Sequence, residues 1–577
     1  MRRFTADFET TTDKDDCRVW AFAICEIGNP DNFIYGNSMD EFMEWCGERC
    51  HNYELYFHNL KFDGCYIINW LLSNGFKWIE DKKDRDDKTF TTLITDMGQF
   101  YSICVYFQAH NKKHVNKITI KDSLKILNFS VEKIAQDFDL PIRKLSIDYK
   151  AKREIGHQLT KEEYEYIKND VEIMSRALDI MFSEGYTKMT IGSDALADFK
   201  SRVPDFKRFF PELPLEIDAD IRRSYKGGFT YLNPKYAGLE VGSGYVLDKN
   251  SMYPSKMVNE KLPVGWPIYF DGRYETDKLY PLYIQRLTCS FKLKKGKIPS
   301  IQLKNNPAYK PNEYIESSNG QLVTLTLCNP DLELFLANYD IGEVYWQGGW
   351  KFRAMTGIFK SYVDFWTAKK IQAKKDHNGA MYTISKLFLN SLYGKLGLNP
   401  MSRTKRPFLV DGVLKFALNE VEQRKPIYIP MASFITAYAR KDIIESSQMI
   451  RDYSLKHYGY DAWIYNDTDS IHCLLKLKDL RAMTKELDID DYKLGAWKIE
   501  SEFTRAKFLR QKCYIEENEN SLNVTIAGLP KRLGKYINFD NFAIGFTTEG
   551  LQLDEHKLSY KQVKGGVLLV DTDFTIK

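Results

Sequence analysis

Apolar and polar positions alternate along 2–8 and an apolar run fills most of 18–27, both strand-like, while 39–50 and 64–75 are helix-like. The charged stretch Glu80 to Lys88 predicts a solvated loop. At Thr160 a helix opens on a capping box with Glu163, and its pattern runs towards Phe182 before Gly185 stops it. A first α/β unit therefore closes near residue 190. Between about 260 and 357, Pro and Gly break up short strand-like runs around a basic segment, Arg286 to Lys304, which predicts a β-rich insertion. Residues 358–396 are strongly helical, 399–430 return to short strands, and 434–457 are helical again. Strands follow at 460–475 and 505–516, and the remainder forms a small C-terminal region. No repeat is visible, so the chain is not a solenoid.

At 577 residues and about 150 per domain the chain has room for roughly four domains. Lys and Arg total 82 against 78 Asp and Glu, so whole-chain charge argues for no polyanionic partner and any such case must be local. The 14% of aromatic residues supply rings that stack on bases or, for most of them, fill cores. The N-terminus has no apolar signal region and no run approaches the ~18 apolar residues of a membrane span, so the expectation is a soluble protein that is not exported. Cys46 and Cys50, with His51 beside them, lack CxxC spacing, and reduced cytoplasmic thiols are expected.

Asp7 and Glu9, two apart on a predicted strand, point to one face while Phe8 turns into the core. Paired hard oxygen ligands suit Mg²⁺ or Mn²⁺, ions that serve phosphodiester hydrolysis, although a DxE triplet taken alone is better read as a solvated strand end. Asp63 stands in His58-Asn59-Leu60-Lys61-Phe62-Asp63-Gly64, and Tyr166 and Asp170 share one face of the capped helix, a phenol to orient water beside a carboxylate. The order DxE, NxxFD, YxxxD resembles the three exonuclease motifs of proofreading DNA polymerases. That resemblance implies Asp7, Glu9, Asp63 and Asp170 as metal carboxylates, Tyr166 as the water-orienting group, and Lys144 as the module's lysine. It also implies Thr10, His58, Asn59, Phe62, Ser123 and Leu124 as ligands of a single strand.

A second set of carboxylates is spread through the rest of the chain. Asp248 ends the strand-like run 244–247, with Tyr253 just behind it, and Tyr465 to Ser470 reads as a β-hairpin with Asp467 and Asp469 at its tip. Either segment alone has ordinary structural explanations. Between them, Lys386, Asn390 and Tyr393 fall on one helical face, presenting an ammonium, an amide and a phenol that suit the triphosphate, sugar and base of a nucleotide. Lys369, Lys370, Lys374 and Lys375 add local positive charge.

DxxSxYP, KxxxNSxYG and YxDTDS, in that order, match motifs A, B and C of family B DNA polymerases. The resemblance implies Asp248 and Asp469 as metal carboxylates with Asp467 in support, two Mg²⁺ ions per site (Mn²⁺ substituting), Lys386 on the triphosphate, and Asn390, Tyr253 and Tyr393 around sugar and base. Tyr225, Gly227 and Gly228 match a YxGG motif near DNA phosphate, Thr436 and Arg440 a template-contact motif, and Lys512 and Tyr514 a KxY motif at the primer end. The size and the segments between motifs A and B resemble the protein-primed subfamily of small linear-genome phages.

The fold expected from this resemblance is α/β and α+β multidomain: a ribonuclease H-like 3′-5′ exonuclease domain (1–190) joined to a right hand. The hand's parts are palm (191–259 and 431–528), fingers (358–397), thumb (529–577), a first insertion (260–357, terminal protein region) and a second (398–430, strand displacement and processivity). Expected partners are template and primer DNA, dNTPs and a terminal protein whose hydroxyl replaces the primer 3′-hydroxyl. The protein is expected to act as a monomer in the cytoplasm of an infected bacterium, with no membrane. Lys249 follows Asp248 where a small apolar residue is usual and contributes its backbone carbonyl to the metal. Asn466 replaces a small residue. Tyr382 stands where a second nucleotide lysine is expected, for which Lys370 is the substitute. A competing reading keeps the fold as a nucleic-acid-binding initiation scaffold without activity; dNTP-dependent extension separates the two.

Overall fold

In the computed structural model, which describes residues 2–48, 53–109, 115–303 and 313–577, the N-terminal unit is built on an eight-stranded sheet. Its strands lie in the order Asn29–Gly36, Val19–Glu26, Arg3–Thr10, Tyr53–Phe57, Asn116–Asp122, Phe100–Gln108, Thr89–Ile94 and Lys77–Trp78. Arg3–Thr10, Tyr53–Phe57 and Asn116–Asp122 run parallel at its centre. Phe4, Ala6 and Phe8 face a core shared with Phe42, Phe57 and Leu60. Thr5 alternates to the opposite face, where its hydroxyl donates to Val171 O (2.7 Å) on the helix Lys161–Ser183. That helix has the predicted capping box, and Gly185 follows its end at φ +88°, a backbone state that costs glycine little. The helix expected over 39–50 is Met39–Gly47; Cys50 and His51 lie outside the described residues.

A five-stranded antiparallel sheet forms the middle of the molecule, in the order Trp497–Phe503, Gly244–Lys249, Ser470–Cys473, Trp463–Asp467, Thr230–Leu232. The helix Ile429–Tyr458 backs it through Ile443, Ile444 and Ile450, packed against Trp463, Ile471 and Trp497. It starts earlier than the predicted 434 because Pro430 sits in its first turn, where a missing N–H costs nothing. The helical stretch 358–396 is two helices, Lys360–Lys375 and Gly379–Leu396. Phe359, at the start of this pair, and Trp366 and Phe388 within it share a core with Phe199 from the helix Ile191–Arg202, so the segment just after residue 190 packs on these two helices.

The insertion between 260 and 357 is a four-stranded sheet, Lys261–Phe270, Tyr339–Thr356, Leu282–Leu293 and Val323–Cys328. It also contains a helix, Asn329–Asn338, whose Pro330 reads as a break in sequence but occupies the first turn. The second insertion is the hairpin Met401–Val410 and Val413–Gln423. It leans on the N-terminal unit, with Asp96 N donating to Arg403 O (3.0 Å) and Asn69 Nδ2 to Gly412 O (3.0 Å). The stretch 505–516, expected as one strand, is two: Arg505–Arg510 and Cys513–Glu517, with Lys512 at φ +55° in the turn. Cys513, Ile515 and Ile526 share a core with Ile537, Phe542, Phe574 and Ile576, so this packing crosses residue 528. A last hairpin pairs Lys557–Val563 with Gly566–Thr572. No described helix is long and apolar enough to cross a membrane.

Candidate active sites

Four carboxylates converge where the strand Arg3–Thr10 meets the helices Leu60–Ser73 and Lys161–Ser183. Glu9, Asp63 and Asp170 are buried, and Asp63 Oδ1 and Asp170 Oδ1 have no hydrogen-bond partner among the described residues. Burial, with the Asp170 charge behind it, pushes the Asp7 carboxyl up to about 7. Burial raises Glu9, Asp63 and Asp170 as well, with Asp7 adding to the first two and the Lys144 ammonium opposing the last. Lys144 Nζ bonds Asp170 Oδ2, and Tyr166 OH meets Tyr149 OH at 2.8 Å. Carboxylates raised in pKa chiefly by burial, two of them with an oxygen that accepts nothing among the described residues, fit a hard divalent cation. No set of three His, Cys, Asp or Glu among the described residues stands in closed ligand geometry; Mg²⁺ uses only one or two carboxylates besides water and phosphate oxygens, so pairs suffice.

The sign of the pH effect follows from these shifts. Folded Asp7 keeps a proton that the unfolded chain releases near pH ~3.9. Its contribution to stability is intact below that pH and is lost as pH rises through about 7. In chelator, the thermal midpoint of the wild type should fall relative to Asp7→Asn between about pH 5 and about pH 8, and Mg²⁺ should close the gap at the upper end. A difference that stays flat across that range would contradict the assignment.

The expected strand ligands divide into two groups. Asn59 (φ +74°) and Phe62 are part-exposed beside Asp63, and Thr10 ends the strand carrying Asp7 and Glu9. His58 and Ser123 instead support the loop from within. Ser123 is fully buried, donates to Phe57 O (3.0 Å) and meets His58 Nδ1 at 3.0 Å, while His58 Nε2 lies 2.7 Å from Phe129 O. Burial holds the His58 imidazole below its ordinary pKa. Leu124 is part-exposed, and its N–H donates to Asp122 Oδ1 (3.0 Å).

The second cluster opens into a cleft of about 610 Å³ on the five-stranded sheet, lined by Asp248, Asp467, Asp469, Glu500, Lys512 and Tyr514 among others. Asp248 pairs in register with Ser470, and Lys249 N donates to Asp469 O (2.8 Å), which locks the two strand ends together. Thr468 in the two-residue turn has φ +64°, a strained state for a β-branched residue, held by its N–H donating to Phe229 O (2.8 Å). Burial and then the Asp469 charge push the Asp248 carboxyl up to about 7, and burial raises Asp469 too. Asp467 pairs with Lys512 Nζ at 3.3 Å. The Lys249 side chain points away to Asp442 (2.9 Å), leaving its backbone at the cleft. Asn466 is fully buried, bonded to Ser447 and to the Trp463 indole N–H (2.8 Å).

On the helix Gly379–Leu396, Tyr382, Lys386 and Asn390 are exposed on one face and Tyr393 is part-exposed, while Phe388 and Leu392 are buried. Tyr393 stacks on Tyr253 with ring centroids 4.1 Å apart. Lys370 is half-buried, and burial, then Lys386 and Lys374, lower its pKa. Two cations crowded in this way fit an anionic group between them. Gly228 lets Thr468 and Tyr253 approach, since a Cβ there would stand 2.7 Å from Thr468 Cγ2; Tyr225 packs its phenol against Gly397.

Two expected template contacts are interior instead. Thr436 is buried and its hydroxyl donates to Ala432 O (3.0 Å). Arg440 is 4% exposed, forks onto Asp331 and donates to Lys226 O and Gly227 O, both at 2.8 Å. A helix-face pattern of Thr, Tyr and Arg does not say which side faces solvent. Arg440 acts on the Tyr225 to Gly228 loop from behind, and Arg440→Ala should cost about 3–5 kcal/mol in urea unfolding by stranding buried Asp331; a loss below about 1 kcal/mol, that of an exposed pair, would contradict this. Sequence reasoning also missed Glu500, whose charge raises Asp248 and Asp469; in Trp497–Phe503 it is one acid among strand alternations, with no signal of its own.

The model of the family described as DNA polymerase type B, organellar and viral, matches residues 49–158 and 151–478. The DNA polymerases of Bacillus phages Nf and phi29 are 46% and 43% identical to the chain; the alignments cover all of this chain and 100% and 99% of theirs. That of Streptococcus phage Cp-1 is 33% identical over all of this chain and 98% of its own. The solved phi29 DNA polymerase complexed with primer-template DNA and incoming nucleotide superposes with a TM-score of 0.91 at 43% identity, both chains covered completely. Its complex with single-stranded DNA gives 0.89 at 42%, again over both whole chains. With two acidic sites on separate sheets and likeness along its whole length, the chain belongs to the type B DNA polymerases, organellar and viral.

Proposed function

We propose that this DNA polymerase carries two reactions at two sites: template-directed dNTP addition at Asp248 and Asp469, and 3′-5′ removal of unpaired ends at Asp7, Glu9, Asp63 and Asp170. The observation that carries the reading is the joining of Asp248 and Asp469 in one cleft, faced by two crowded lysines and a stacked tyrosine pair. Two Mg²⁺ or Mn²⁺ ions, when bound, lower the pKa of the attacking hydroxyl and neutralise the departing pyrophosphate. Asp248, Asp469 and the Lys249 carbonyl would hold them, and Asp467 keeps Lys512 oriented towards the primer end beside Tyr514. Lys386 and Lys370 take the triphosphate. Tyr253 and Tyr393 form a wall under sugar and base, with Asn390 at its edge, that leaves no room for a 2′-hydroxyl.

At the other site Tyr166, held by Tyr149, orients the attacking water, while Lys144 holds Asp170. Thr10, Asn59, Phe62 and Leu124 receive the strand, supported by His58 and Ser123. The loop Tyr225 to Gly228 lies between the two regions and steadies DNA phosphate through its backbone, with Arg440 and Thr436 fixing it from within. The phage relatives and the two insertions support replication from a terminal protein's hydroxyl, by a single chain in the cytoplasm of an infected bacterium. The second insertion would separate the strands ahead of synthesis. A primed circle incubated with four dNTPs and Mg²⁺, without helicase or clamp, should yield products many times the circle's length. Folded protein that adds no nucleotide would remove the reading.

A further inference from the structure

The last hairpin, Lys557–Val563 with Gly566–Thr572, is seated on the nuclease helix Leu60–Ser73 by contacts that admit little movement. Tyr66 OH donates to Val567 O (2.6 Å) and Gln562 Nε2 to Cys65 Sγ (3.2 Å). The turn is closed by Gly565 and Gly566, where a Cβ would stand 2.5 Å from Cys17 O and 2.3 Å from the Tyr66 ring. Two residues before Gln562, and so on the same strand face, is Tyr560. Asn59 Nδ2 donates to its hydroxyl (3.0 Å), the Phe62 ring lies 6.3 Å away centroid to centroid, and Lys61 Nζ stands 4.9 Å from its centre. The ring is nonetheless 40% exposed, so it fills no core. Asp63 lies close enough for its charge to act on the phenol.

We propose that Tyr560 is a strand-binding residue of the nuclease cleft: its ring continues the Phe62 face into an aromatic wall on which the last bases of an unpaired 3′ end stack, with Lys61 beside it for the phosphates. This rests on the nuclease reading of the Asp7 cluster. Stacking tolerates any base and needs an exposed face, and a paired end cannot offer its last bases to the wall, so the residue favours frayed ends over matched ones. The hydroxyl bond to Asn59 orients the ring, with Lys61 Nζ over one face.

The test is binding of a single-stranded oligonucleotide with 2-aminopurine at its 3′ end, in chelator so that nothing is cut, followed by degradation in Mg²⁺. Tyr560→Ala should weaken binding about tenfold, the scale of one lost base stack, and slow degradation at sub-saturating strand by a similar factor. Tyr560→Phe, which keeps the ring, should stay within about twofold of wild type in both. Unchanged binding in Tyr560→Ala, or Tyr560→Phe as weak as Tyr560→Ala, overturns the proposal. If wild type binds the strand and Tyr560→Ala does not, yet wild type degrades nothing, the nuclease reading fails and the wall stands.

Discussion

Asp469→Ala should reduce dNTP-dependent primer extension by about a thousandfold or more while leaving degradation of single-stranded 3′ ends within about twofold. The size follows from what the carboxylate does. Burial and then the Asp469 charge push Asp248 up to about 7, so without a cation it is substantially protonated near neutrality. Removing Asp469 relieves that repulsion and leaves one carboxylate, too few to hold two ions against the charge of a triphosphate. Asp469→Asn tests the same point without a cavity. Asp7 and Glu9 lie on a different sheet, with Asp63 and Asp170 on helices packed against it, which is why the reaction proposed there should survive. A labelled primer assayed for extension and for shortening reads both outcomes, and loss of both in folded protein would end the two-site picture.

The converse change, Asp7→Ala with Asp63→Ala, should abolish shortening of single strands by at least about a thousandfold and leave extension of matched primers within about twofold. Asp63 is buried and Asp7 part-buried beside it, and Asp63 Oδ1 accepts no hydrogen bond among the described residues, so the pair costs the fold something when no ion is present. The double variant should therefore melt no lower than wild type in chelator, which distinguishes lost chemistry from lost structure. With mismatched primer ends, misincorporated nucleotides should persist in its products. Shortening that continues at the wild-type rate would move the hydrolytic site elsewhere.

Much of this was legible because local chemistry declares itself along the chain. The Thr160 and Glu163 capping box, the two-residue turn of Thr468 and Asp469 and the one-faced display of Lys386 and Asn390 depend on spacings of two to four residues, which backbone geometry converts directly into position. The break at Gln511 and Lys512 was hidden for the same reason in reverse. Lysine is a poor signal for positive φ, and the Tyr465 hydroxyl that accepts the Lys512 N–H comes from a distant strand. Likewise the helix beginning at Asn329 was masked by a proline that only its neighbours show to be a first-turn residue.

What the amino-acid order determined alone was the set of reacting groups and the elements carrying them: carboxylates at strand ends, a phenol and an acid on one helix, a lysine, an amide and a phenol on another. Only the tertiary structure decided which faces of those elements are open. It put Arg440, Thr436, Ser123 and Asn466 inside as supports and left Tyr560 outside against Asn59 and Phe62. The reason is that exposure is set by what packs against a face, and partners such as Phe57 for Ser123, Asp331 for Arg440 and Asn59 for Tyr560 come from segments 66, 109 and 501 residues away, beyond the reach of any local spacing.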